Sequence, residues 1–240
     1  MREKWTAEQE SLKAQLLEED QLDLDPHNLE GTLQLIGAVD IGYSKNDDKK
    51  AVAVIIVMKY PSFEIVYEDH HHEIQVDYPY IPGFLAFKEI PVYQVLFDRF
   101  PKEFIPQVIL VDGNGILHTR QFGCASHIGV KFNIPTIGVA KKTFDVDGLH
   151  KGRVKDICEE DLHEAGDIAY LKGDSGKVWG AALRCTNESK NPIFISVGHR
   201  VSLETSIKIV KMSISKFRIP EPIRQADLRG RKIVKKIYDS

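Results

Sequence analysis

Two aspartates close two apolar runs that lie far apart in the chain. Val39-Asp40-Ile41-Gly42 follows the run Leu33 to Ala38, and Val111-Asp112-Gly113-Asn114-Gly115 follows Val108-Ile109-Leu110. Short apolar runs of this kind read as buried strands, so the pattern expects two carboxylates to meet at the end of one sheet. Singly, each is an ordinary turn aspartate at a strand end. As a pair they read better as ligands, because a buried carboxylate needs a cation or several donors. Paired aspartates suit a hard ion such as Mg²⁺, which is common in sites that cut or transfer phosphates.

Glu89 lies in a helix that begins with Gly83-Phe84-Leu85-Ala86-Phe87. It reads either as a third oxygen ligand or as an exposed helix charge. His118, six residues past Asp112 on a glycine-rich loop, reads from position alone as a polar residue in water. Lys141 and Lys142 end the apolar run Thr136 to Ala140. A lysine there can stabilise charge on a phosphate; for Lys141 that reading and a plain surface charge stand level, and Lys142 reads as surface. Gly113-Asn114-Gly115 supplies two glycines of a dinucleotide-binding fingerprint, but the third glycine position holds His118, which argues against a Rossmann site. Pro79-Tyr80-Ile81-Pro82-Gly83 is a stiff loop whose Tyr80 either packs on the core or wedges into a base stack, where stacking contributes roughly 1–3 kcal/mol per base. The C-terminal cations Arg218, Arg224, Arg229, Arg231, Lys232, Lys235 and Lys236 suit a phosphate backbone or a solvated tail. Asp227, among them, is a metal ligand or an ion-pair partner. His70-His71-His72 reads as a solvated strand edge, Gly173-Asp174-Ser175-Gly176 as a chance likeness to a protease nucleophile motif, and Cys124 as a core residue.

These residues need a sheet to carry them. Leu33 to Ile41, Ala51 to Tyr60 and Phe63 to Val76, separated by tight polar turns, predict an antiparallel three-stranded meander. A helix over Gly83 to Phe100, kinked or broken at Pro91, precedes a strand at Gln107 to Val111, a helix at about Gln121 to Phe132 and the strand Thr136 to Ala140. Further strands are expected at Val178 to Arg184 and Ile193 to Val197, with helices opening at Ser202 and after Pro222. That order implies an α/β fold, a mixed sheet flanked by helices. Before it, Thr6-Ala7-Glu8-Gln9 reads as a capping box opening a helix to about Glu19, followed by a turn-rich link from Asp23 to Asn28. The division expected is residues 1–30 as helix and link and residues 31–240 as one domain. A net charge of −3 disfavours binding nucleic acid by bulk charge but leaves room for a local basic groove. Cys124, Cys158 and Cys185, without a CxxC, read as reduced intracellular thiols, and no apolar run approaches a membrane span. A cytosolic or nuclear protein is expected.

Taken in order, the motifs Val39-Asp40-Ile41, Pro79 to Glu89, Asp112-Gly113-Asn114-Gly115 with His118, Ile137 to Lys142, and Ser196-Val197-Gly198-His199-Arg200 resemble endonuclease V, over about Leu33 to Asp227. The resemblance implies a ribonuclease-H-like fold, with Asp40 and Asp112 on adjacent central strands and Asp40, Glu89 and Asp112 binding Mg²⁺, for which Mn²⁺ can substitute. It assigns His118 and Lys141 to the active site and Pro79, Tyr80, Ile81 and Pro82 to a strand-separating wedge. Gly83, Leu85, Gly113, Cys124 and Ala140 fall where the family holds a flipped hypoxanthine. It implies a cut at the second phosphodiester on the 3′ side of inosine, leaving 3′-hydroxyl and 5′-phosphate ends. Asp227 stands where bacterial members usually carry histidine. That acidic version resembles the animal branch and implies inosine-containing single-stranded RNA as the substrate, with deoxyinosine-containing DNA as the alternative. A monomer acting in cytoplasm and nucleolus is the accompanying expectation.

Overall fold

A computed structural model of the protein describes residues 2–47, 49–75, 81 and 83–239. Val76, Pro79, Tyr80 and Pro82, and so the end of the third expected strand and most of the expected wedge, lie outside the described residues.

Among the described residues, eight strands form one sheet: β1 (Leu35–Tyr43), β2 (Lys50–Lys59), β3 (Ile65–Gln75), β4 (Val108–Val111), β5 (Thr136–Ala140), β6 (Ile168–Lys172), β7 (Val178–Leu183) and β8 (Ile193–His199). Their order is β3-β2-β1-β4-β5-β8-β7-β6. The meander pairs antiparallel, β1 with β4 and β4 with β5 pair parallel, and the remaining pairs are antiparallel, so the sheet is mixed as expected. The helices are α1 (Arg2–Lys13), α2 (Leu29–Thr32), α3 (Leu85–Asp98), α4 (Cys124–Phe132), α5 (Lys151–Asp161), α6 (Leu203–Met212) and α7 (Glu221–Ile237).

Side chains alternate across a strand, and this sheet is covered on both faces. Ile36 and Ala38 of β1 and Leu110 of β4 join a core with Ile207 and Val210 of α6 and Ile223 and Ala226 of α7. Val39, Ile109 and Val111 face the other way, onto Ile90 and Leu96 of α3 and Ala125 and Ile128 of α4. A third cluster, with Leu117, Leu149, Leu171 and Trp179 at its centre, fills the space beside β6 and β7.

Several boundaries differ from expectation for identifiable reasons. Thr6 lies inside α1 and caps nothing, since α1 starts at Arg2 and ends at Lys13. Beyond it the chain runs along the end of β8 instead of staying helical: the Arg200 N–H donates to Leu17 O (2.8 Å), and the Gln21 N–H to Arg200 O (3.0 Å). α3 continues through Pro91, whose ring sits on the exposed face of the helix. α7 begins at Glu221 with Pro222 inside its first turn, and Ser202 caps α6 through its Oγ, as expected. α5 and β6 were not expected. α5 buries only Val154, and β6 is five residues long; its burial alternates, but apolar Ile168 and Tyr170 stand on its outer side, so the residue types hide that period. His70 to His72 do lie on an edge strand, β3, and Gly173 to Gly176 form the turn between β6 and β7, where Ser175 is bonded to Asp147.

Candidate active site

The register of β1 against β4 builds the centre of the site. Val39 is level with Val111 in that parallel pair, so the next residue on each strand, Asp40 and Asp112, emerges side by side on the face covered by α7. Val111 is in turn level with Gly138 of β5, which carries Lys141, just beyond the strand, to the same edge. The Lys141 ammonium lies 2.5 Å from Asp112 Oδ2.

Two further acids come from helices on opposite faces. Glu89, in α3, is 9% exposed, and its Oε2 accepts from the Cys124 thiol at 3.3 Å. Asp227, in α7, accepts from Arg231 Nε at 2.8 Å. Burial, and then the charges of Asp112 and Asp227, push the Asp40 carboxyl up to about 7, while Lys141 and Arg231 oppose the shift. Burial also pushes Glu89 to about 7; the Cys124 hydrogen bond opposes the rise, and Asp40 adds to it. The four carboxylates therefore share one electrostatic neighbourhood. Among the described residues, no three His, Cys, Asp or Glu side chains close into a ready metal cluster. Asp112, Asp227 and Glu89 are each drawn toward a separate donor, Lys141, Arg231 and Cys124. The donor set is chemically suited to a hard divalent cation, being all carboxylate oxygen, and the raised Asp40 and Glu89 carboxyls are groups that added positive charge would settle.

His118 is not the water-facing loop residue that its position suggested. It is 4% exposed, its ring meets Phe144 edge-on at 4.7 Å, and burial, reinforced by Arg120, lowers it to about 4. The Arg120 N–H donates to His118 Nδ1 at 3.2 Å, so the neutral ring carries its proton on Nε2. That edge of the ring approaches Gly83, where an added Cβ would stand 3.8 Å from Nε2. Gly83 has φ +82°, a conformation that favours glycine. Cys124 does pack against the core, half-buried at the start of α4, but its thiol also meets Glu89, and a Cβ on Gly113 would stand 3.4 Å from its own. Leu85 opens α3, and buried Ala140 closes β5.

Sequence reasoning missed Gln9 and Arg120. Gln9 is 2% exposed; its Nε2 donates to Phe122 O (2.8 Å) and Gly83 O (3.3 Å), and its Oε1 accepts from Arg120 Nε. Trp5 stacks on Phe87 at 5.1 Å and tilts onto Phe84 at 5.9 Å. α1 thus ties the turn before α3 to the loop that carries His118. No local pattern marks contacts 74 to 113 residues apart in sequence. The C-terminal cations are partly spent on ion pairs: Arg224 with Glu221, Arg229 with Glu68 and Arg231 with Asp227.

The sequence model of Endonuclease V matches residues 12–228. The chain belongs to the Endonuclease V family. It is 42% identical to Endonuclease V of Mus musculus over 235 residues, covering 97% of this chain and 69% of the relative. It is 41% identical to that of Homo sapiens, covering 97% and 83%. A crystal structure of the human protein superposes with a TM-score of 0.89 at 42% identity, covering 98% of this chain and 99% of the other. Ciona intestinalis Endonuclease V, solved with a 23mer DNA containing an inosine followed by a ribo-adenosine, superposes with a TM-score of 0.87 at 33% identity, covering 98% and 97%. Endonuclease V is a nuclease acting on nucleic acids, and the mixed eight-stranded sheet is consistent with a ribonuclease-H-like fold.

Proposed function

We propose that this chain is a Mg²⁺-dependent endoribonuclease that cuts inosine-containing single-stranded RNA at the second phosphodiester 3′ of inosine, leaving 3′-hydroxyl and 5′-phosphate ends. The observation that carries the reading is the side-by-side placement of Asp40 and Asp112, with Lys141 on Asp112 and Glu89 and Asp227 in the same electrostatic neighbourhood.

Asp40, Asp112 and Glu89 would hold the cation, with Asp227 beside them. When bound, Mg²⁺ supplies Lewis acidity at the phosphate and a more acidic water. Lys141 brings an ammonium to the same carboxylate edge, where it steadies negative charge growing on a phosphate oxygen. His118, held neutral, donates from Nε2 and takes no proton at neutral pH. Gly83, Leu85, Gly113, Cys124 and Ala140 frame the place for a flipped hypoxanthine, and a weakly paired base costs less to unstack. Pro79 to Pro82 act as the wedge.

Support for inosine comes from the Ciona relative, whose complex contains it. The bulk of that oligonucleotide is DNA, which keeps the second reading, a deoxyinosine nuclease of DNA repair. The acidic Asp227 favours RNA by its likeness to the animal branch. Matched single-stranded oligonucleotides with one inosine, in RNA and in DNA, separate the two when incubated with Mg²⁺ and mapped for the cut. Faster cutting of RNA one nucleotide beyond inosine is expected, with Asp40→Ala and Asp112→Ala losing cleavage and keeping binding. Faster cutting of DNA would transfer the chain to the second reading, and cutting by either variant would remove the metal assignment.

A further inference from the structure

A basic, aromatic groove lies at the same end of the sheet as Asp112 and Lys141. Ala140, the last residue of β5, pairs with Phe194 of β8, and Ile193 pairs with Leu183 of β7. The chain therefore enters β8 and leaves β7 at the edge where Lys141 emerges. Strands lie about 4.8 Å apart, so the β7 end stands roughly 10 Å along that edge from Lys141. Between the segment after β7 and the α6–α7 loop runs an open groove of about 530 Å³, lined by Thr186, Ser189, Ser215, Lys216, Phe217 and Arg218, with Glu188 its acidic member.

The α6–α7 loop is built to present this surface. Arg218 Nη2 donates to Pro192 O at 2.9 Å, which fastens the loop to the start of β8. Glu221 grips the Arg224 guanidinium through two bonds, at 2.7 and 2.5 Å. Arg224 in turn lies 4.4 Å from the centre of the Phe217 ring, and Lys216 Nζ lies 5.2 Å from it. Phe217 is nevertheless 40% exposed. Neither Lys216 nor Arg218 has a carboxylate partner among the described residues. An exposed aromatic ring flanked by two cations without carboxylate partners offers a flat face and positive charge together, which suits an anionic ligand with flat rings. Stacking platforms flanked by cations are how proteins follow single-stranded nucleic acid without reading its sequence.

We infer that this groove takes the flank of the single-stranded substrate where it leaves the active site, with a base on Phe217 and phosphates on Lys216 and Arg218. The inference rests on the nucleic-acid reading above and adds a subsite to it.

The test is fluorescence anisotropy in EDTA with labelled inosine-containing RNA of 10 and 30 nucleotides. Phe217→Ala and Lys216→Glu are both exposed changes, and an unchanged melting temperature verifies their fold. The parent should bind the longer strand more tightly. On the 30-mer Phe217→Ala should lose about tenfold, as expected for one stacking contact, and Lys216→Glu should also bind more weakly; on the 10-mer each should lose less than twofold. Lys216→Glu should also flatten the salt dependence of the 30-mer by roughly 0.7 or more in log–log slope. Equal affinity of parent and variants, equal losses on both lengths, or no gain with length in the parent would overturn the subsite. A parent that binds in this length-dependent way but cuts no inosine strand would instead sink the proposed activity and leave the subsite standing.

Discussion

Glu89 shows at the scale of one residue how the site trades stability for chemistry. It is 9% exposed and raised to about 7 by burial, a rise that the Cys124 hydrogen bond and the Lys88 charge only partly oppose. A carboxyl whose folded value lies above its unfolded value contributes stability that is present at low pH and lost as pH rises through the folded value. Above pH 7 the metal-free protein therefore carries this charge at a cost, on the order of 2 kcal/mol. Glu89→Gln keeps the shape and removes the charge. It should raise the melting temperature of the EDTA-treated protein at pH 8, raise it much less at pH 5, and abolish Mg²⁺-dependent cleavage. A variant that melts lower than the parent at pH 8 would refute this account of the carboxylates. Stabilisation by removing a functional charge is common where a site is kept strained for its ligand.

Element-scale packing is where sequence and structure part company. The strand-end aspartates were legible because each follows an apolar run, and the meander because polar turns punctuate it. The parallel register that sets Asp40 beside Asp112 was not legible from local pattern, since it depends on how β1 and β4 slide against each other across some seventy residues of chain. α5 was illegible because it buries only Val154, and β6 because apolar side chains occupy both faces of a five-residue strand. α1 was legible as a helix, but its task was not. Gln9 joins Gly83 O, Phe122 O and Arg120 into one buried group, and Arg120 sets the His118 tautomer. Removing a buried partner of this kind costs roughly 1–3 kcal/mol. Gln9→Ala should lower the melting temperature and, because both tethered loops border Gly83 and His118, raise KM for an inosine oligonucleotide several-fold more than it lowers kcat. Trp5→Ala should act in the same direction. If either variant melts lower with kinetics untouched, α1 is only a brace.

Over the whole molecule, opposing titrations set how acid acts. His118, His127 and His199 are each lowered to about 4, chiefly by burial. Groups lowered in the fold take up protons first in the unfolded chain, so they cost stability as pH falls from about 6.5 toward 4. His127 shows why: it is 2% exposed, its ring meets Phe87 edge-on at 4.8 Å, and a charge there would sit among aromatic rings. Asp40 and Glu89, raised to about 7, act the opposite way, since the fold takes up their protons before the unfolded chain does. Three histidines against two carboxyls leave a net uptake of about one proton on unfolding between pH 6.5 and 5, a slope near 1.4 kcal/mol per pH unit. A cation held by Asp40 and Glu89 must displace their protons. The opposing pair then drops out, and the slope should approach three times the metal-free value. Urea unfolding at fixed pH values through this window, in EDTA and in saturating Mg²⁺, measures both slopes. Parallel lines would mean that the cation, wherever it binds, does not bind at Asp40 and Glu89. Divergence on raising the pH would place it on these carboxylates without any reference to cleavage.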